Sequence, residues 1–159
     1  VDRQEVDIPD YSSGTLLMSD VLLASKIGPA RKNDKFARNG LSLSPNIRQE
    51  YQKDDTLFLY FEVYNLKSGK QDSRHYTVEN SIIQKRDGGF LRSILGKSQQ
   101  KTTLVNEYAA KADSDFVVQS INLSNLQPGD YLLEISISDD VASRKVSRRT
   151  QFTIIDSLT

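Results

Sequence analysis

Polar and apolar positions change places every second residue along much of this chain. From Tyr131 to Ser138 the alternation is regular. Tyr131, Leu133, Ile135 and Ile137 fall on one side, and Leu132, Glu134, Ser136 and Ser138 on the other. Successive side chains of a β-strand point to opposite faces, so this spacing predicts a strand with one face in a core and the other mostly wet. Ahead of it, Gln127-Pro128-Gly129-Asp130 reads as a type II turn, because Pro fixes its own φ and Gly tolerates a positive one. Residues 55–66 alternate as clearly. Leu57, Leu59, Phe61 and Val63 form one face, and Phe58, Tyr60, Glu62 and Tyr64 the other. Aromatic side chains on the second face predict that it too is partly covered, which places the strand centrally in its sheet.

Other segments follow the same rule with more interruptions. Residues 15–27 are apolar enough for a helix, but Ser19-Asp20 breaks the helical face. Gly14 before them and Gly28-Pro29 after them suit a strand with a bend or bulge. The basic, turn-rich stretch 28–40 ends in Asn39-Gly40, a strong turn signal, and Leu41-Ser42-Leu43 then alternates. Segments 75–86 and 89–95 flank Asp87-Gly88-Gly89, a hairpin turn by composition. Strands are also expected at 102–109, 116–123 and 144–155. Eight or nine short strands separated by turns predict an all-β fold, an antiparallel sandwich of immunoglobulin or fibronectin III-like kind. Leu126-x-Pro128-Gly129-x-Tyr131 strengthens that reading, since such sandwiches carry a Tyr that hydrogen-bonds back to the corner before a late strand. Residues 1–13, polar and acidic with one Pro, read as a linker or extended N-terminal arm, and 14–156 as a single β-sandwich domain.

Composition narrows the chemistry. The 159 residues suit one domain with a core large enough to fold without metal or disulfide. Twenty-one basic and 21 acidic residues cancel, which argues against a chain devoted to nucleic acid or an anionic membrane. There is no Cys, so disulfides, thiolate nucleophiles and Cys-bound metals are excluded. No apolar run approaches the roughly twenty residues that cross a bilayer as a helix. The chain begins at Val1 and shows no signal peptide, which reads as a piece of a longer protein.

Candidate sites are few. His75 is the only histidine, follows a turn-like polar stretch, and reads as exposed where its strand begins. A calcium loop needs several converging oxygens. Asp113-Ser114-Asp115 and Ser138-Asp139-Asp140 are the dense candidates, both at places where turns call for Asp. Glu62 is the one acid inside a strongly apolar strand, and paired-carboxylate hydrolysis needs two. Asp87-Gly88-Gly89 lacks the Lys-Ser/Thr of a phosphate-binding loop. Basic residues gather at Lys85, Arg86, Arg92, Lys97 and Lys101, and again at Arg144, Lys145, Arg148 and Arg149. In strands these read as a wet face that discourages aggregation. No catalytic, cofactor or metal residue is assigned. The candidate binding face is Tyr60 and Tyr64.

Four phrases occur in order: Thr15 to Ala24, Asn39 to Asn46, Leu59 to Leu66 and Leu126 to Tyr131. Together they resemble the C-terminal β-rich region of bacterial GWxTD-domain proteins over most of residues 14–155. The GWxTD motif itself is absent from this chain. The resemblance implies a module of a larger, exported protein, periplasmic or at the cell surface, and carries over no catalytic residue. The expected function is structural or protein-binding, non-enzymatic, with another protein or neighbouring domains of the same chain as partner. Binding is expected at a sheet edge or through end loops. The alternative is a carbohydrate-binding module, in which Tyr60, Tyr64 and a further ring would form a coplanar, exposed platform. Trp, the preferred platform for such stacking, is absent.

Overall fold

The computed structural model describes residues 10–85 and 101–156. The strand expected at 89–95, the turn at Asp87-Gly88-Gly89, and Arg86, Arg92 and Lys97 lie outside those residues, as does most of the arm. Among the described residues there are eleven strands: β1 (Leu17–Met18), β2 (Leu22–Pro29), β3 (Ala37–Arg38), β4 (Leu41–Pro45), β5 (Glu50–Gln52), β6 (Thr56–Tyr64), β7 (Arg74–Gln84), β8 (Lys101–Ala110), β9 (Asp115–Asn122), β10 (Gly129–Asp139) and β11 (Arg144–Ile155).

They form two sheets, packed face to face as an all-β sandwich. In the first, β9 runs along one edge of β6, from Thr56 to Val63. Along the other edge come β2, against Phe58 to Tyr60, and β1, against Val63 and Tyr64. β4 and β3 continue this sheet beyond β2. The second sheet has the order β5-β11-β10-β7-β8. All pairs are antiparallel except β5 with β11, which run parallel through Thr153 to Ile155. β6 is therefore central, as its doubly apolar pattern predicts.

The break at Ser19-Asp20 separates β1 from β2, and its geometry explains the lost helical periodicity. The Ser19 N–H donates to the Glu62 carbonyl (2.9 Å), and the Glu62 N–H donates to Ser19 Oγ (2.9 Å). A hydroxyl thus stands in for a ladder carbonyl while the chain shifts from one strand to the next. At Asn39-Gly40 both φ values are positive (48° and 77°), as a two-residue hairpin turn between β3 and β4 requires.

The core lies where the two alternating faces meet. Leu57, Leu59, Phe61 and Val63 of β6 face Tyr131, Leu133, Ile135 and Ile137 of β10, with Tyr76 and Val78 of β7 and Phe152 and Ile154 of β11 beside them. Burying each such side chain contributes about 1.5–3 kcal/mol. Two details depart from the sequence pattern. Gly129 takes φ +142°, positive as Pro-Gly predicts but well beyond the roughly +80° of a type II turn, and it already belongs to β10. The outer face of β10 is also drier than expected. Leu132 and Ser136 are buried, because β10 has a neighbour on each side, β7 and β11. The corner itself holds: Tyr131 Oη donates to the Gln127 carbonyl at 2.6 Å.

Candidate functional site

Alternation along β6 sends Tyr60, Glu62 and Tyr64 to the outer face of the first sheet, and three other segments converge on them. The positive-φ turn at Asn39 brings its amide over the strand, where Nδ2 donates to Tyr60 Oη (2.6 Å) and to Glu62 Oε1 (3.3 Å). Tyr60 Oη donates to Glu62 Oε1 at 2.5 Å, and Tyr64 Oη donates to Glu62 Oε2. On one flank the Phe116 ring of β9 stacks on Tyr60, with centroids 6.2 Å apart. On the other the Tyr11 ring stands edge-on to Tyr64 at 4.8 Å and 66°. Asn65, in the left-handed region, fixes this last contact: its Nδ2 donates to the carbonyls of Tyr11 (3.1 Å) and Thr15 (2.8 Å).

The result is an open groove of about 400 Å³ bordered by Tyr11, Asp20, Arg38, Tyr60, Glu62 and Tyr64. Burial pushes the Tyr60 and Tyr64 hydroxyls up to about 12, and the Glu62 carboxylate they serve adds to the effect. Glu62 responds oppositely. Its own burial favours the neutral form, but the two phenol donors and the nearby Arg38 charge outweigh that and hold the carboxyl below the usual glutamate value. A carboxylate kept ionised, with both oxygens already accepting, positions its neighbours and is a poor proton donor at neutral pH.

The structure thus brings Tyr60 and Tyr64 together but offers little of either ring to a ligand. Tyr60 is only 5% exposed, and Tyr64 is half-buried beneath Tyr11. No coplanar platform forms, since the two neighbouring rings meet theirs at 66° and 27°. The sequence pattern pointed to Tyr60 and Tyr64 but gave no sign of Asn39, Ser19 and Tyr11, which come from segments far away along the chain, nor of Asn65, next to Tyr64, whose partners are equally distant.

The remaining candidates fall elsewhere. His75 is exposed near the start of β7, as expected. Asp139 is buried and takes the backbone N–H groups of Lys67 (2.9 Å), Val141 (2.9 Å) and Ala142 (3.0 Å), so it organises two loops. Asp115 accepts from Tyr76 Oη (2.8 Å). Among the described residues no three His, Asp or Glu side chains gather as a metal site would need. The basic cluster on β11 is not simply a wet face. Arg144, exposed, and Arg148, part-buried, lie on the same face of β11 as Phe152 and Ile154, and they donate to the carbonyls of Gly14 and Met18 (3.1 Å each), fastening the N-terminal segment to β11. Arg149 points outward and pairs with Glu134 at 2.5 Å.

No known family model and no curated protein matches the chain. β8 lies at the end of the second sheet, paired only with β7 among the described residues, through ten consecutive residues with no bulge. Seven of its residues in succession, Lys101 to Glu107, are exposed, so both of its faces are wet over that length. The sequence signal was present but faint: Leu104 and Val105 occupy opposite faces, and neither face of this strand is consistently apolar.

Proposed function

We propose that this chain is a non-catalytic protein-interaction module of a larger bacterial protein, exported to the periplasm or cell surface, and that it binds extended polypeptide along β8. The observation that carries this reading is the exposure of β8. An edge strand presents a row of backbone N–H and C=O groups, and proteins usually blunt long edges with bulges, inward charges or covering loops. β8 is ten residues long and regularly paired on one side, and it exposes Leu104 (41%) and Val105 (59%) on opposite faces. An incoming strand finds hydrogen-bond partners along the edge and an apolar contact above and below the sheet. The resemblance to the region downstream of the GWxTD motif supports the exported, multidomain setting.

The Tyr60-Glu62-Tyr64 cluster fits a structural role better than sugar stacking, because its rings are covered by Tyr11, Asn39 and Phe116. The test is hydrogen exchange at β8 at low and at high protein concentration, and with and without the neighbouring domains of the parent protein. Wild type should gain protection in β8 amides as concentration rises or as those domains are added, and Leu104→Lys/Val105→Lys should abolish it while Tyr64→Ala leaves it intact. Equal protection in wild type and the double variant would refute the edge.

A further inference from the structure

We infer that the strand added to β8 is the β8 of a second copy of this chain, running antiparallel about a two-fold axis at Leu104. The inference rests on the strand-addition reading and names its partner. Symmetric antiparallel pairing of a strand with itself keeps paired side chains on one face, so only registers centred on a residue are open to it. Centred on Leu104, the register sets Leu104 against its own copy, Thr103 against Val105, Thr102 against Asn106, and Lys101 against Glu107. Each Lys101 then meets a Glu107 from the other chain, twice over by symmetry. Directly opposed opposite charges stabilise such pairs, and like charges destabilise them.

Neighbouring registers lack this match. Centred on Val105, the strand sets Lys101 against Ala109 and Thr103 against Glu107. Centred on Thr103, it sets Lys101 against Val105 and leaves Glu107 beyond the overlap. The other long edge, β9, carries a single charge, Asp115, and cannot form such a pair with itself. At the far side of the second sheet, β5 offers only three residues, and the stretch of β11 that it leaves open, Arg144 to Phe152, carries basic residues and no acid to pair with them. β8 alone combines length, an exposed apolar centre and complementary ends. Its pairing would join two five-stranded sheets into one of ten. Leu104 and Val105 would both leave water at the centre, where an interface gains most from apolar contact.

The experiment is sedimentation equilibrium on wild type, Lys101→Glu, Glu107→Lys and the double variant across micromolar to millimolar concentrations. Both side chains are exposed, so the fold should be unaffected, which circular dichroism checks. Wild type should dimerise, and each single variant should dimerise at least about tenfold more weakly, having exchanged two attractive pairs for two repulsive ones. The double variant should recover, and an equimolar mixture of the two single variants should form the heterodimer. A wild type that stays monomeric overturns the inference, as do single variants that dimerise as well as the wild type. Protection of outward β8 amides in a monomer would also overturn it, by placing another part of the same chain on that edge. If the double variant fails to recover while Leu104→Lys/Val105→Lys still abolishes protection by neighbouring domains, self-pairing falls and strand addition stands.

Discussion

Tyr131 and Asp139 stand at the two ends of β10, and each joins a loop to the sandwich through backbone atoms. Tyr131 Oη closes the corner with one hydrogen bond to Gln127. Tyr131→Phe keeps the ring stacked on Phe152 and removes only that bond, so it should cost about 1 kcal/mol, read as a lower urea midpoint with an unchanged slope. Asp139 satisfies three backbone donors from a site 1% exposed, and Asp139→Ala strands all three. The expected loss is about 3 kcal/mol or more, measured in the same way. The first role was legible in the sequence, because Pro128-Gly129 announces the corner that Tyr131 must meet. The second was half legible. Aspartate at a turn was expected, but its reach to Lys67, far away along the chain, leaves no local trace.

At the scale of elements, what was legible follows from what alternation measures. β6 and β10 were clear because each has one continuous apolar face, and the aromatic second face of β6 correctly signalled neighbours on both sides. The break between β1 and β2 was half legible: residues 15–27 read as one strand with a bend or bulge, whereas two strands form there, and the register shift falls at Ala24/Lys26. Alternation does not report which strands adjoin or where a sheet ends, so the edge position of β8 could not be read from it. Nor could the part-buried position of Arg148 in β11, where charge suggested water, as it did correctly for Arg144, Lys145 and Arg149. Arg148 extends a charged donor to the Met18 carbonyl, whereas Arg149 forms an exposed ion pair. Arg148→Ala should therefore cost about 2 kcal/mol, and Arg149→Ala no more than about 1 kcal/mol. Thermal unfolding of the two variants side by side checks the contrast.

For the whole molecule, the Tyr60-Glu62-Tyr64 cluster predicts how stability varies with pH. Glu62 titrates lower in the folded chain than its ordinary value of 4.5, so it contributes stability above that value and loses it as the pH falls further. Tyr51, Tyr60 and Tyr64 behave in the opposite sense. Burial raises each to about 12, so the folded chain keeps protons that the unfolded chain releases from 10 upward, and stability falls through that interval. Urea midpoints across pH should show both limbs. Glu62→Gln should flatten the acid limb, and phenolate absorbance should appear late in the native protein and early in urea.

The bond from Arg144 to Gly14 has a mechanical consequence. It fixes the N-terminal segment beside the first residue of β11, and that strand runs on to Ile155, about 37 Å away at the usual rise of an extended chain. A pull applied between those two points is carried first by the Arg144 and Arg148 bonds that tie the N-terminal segment to β11, because the β10–β11 ladder does not lie between them. Stretched end to end, the chain should release that segment at low force, before the ladder of the sandwich is loaded.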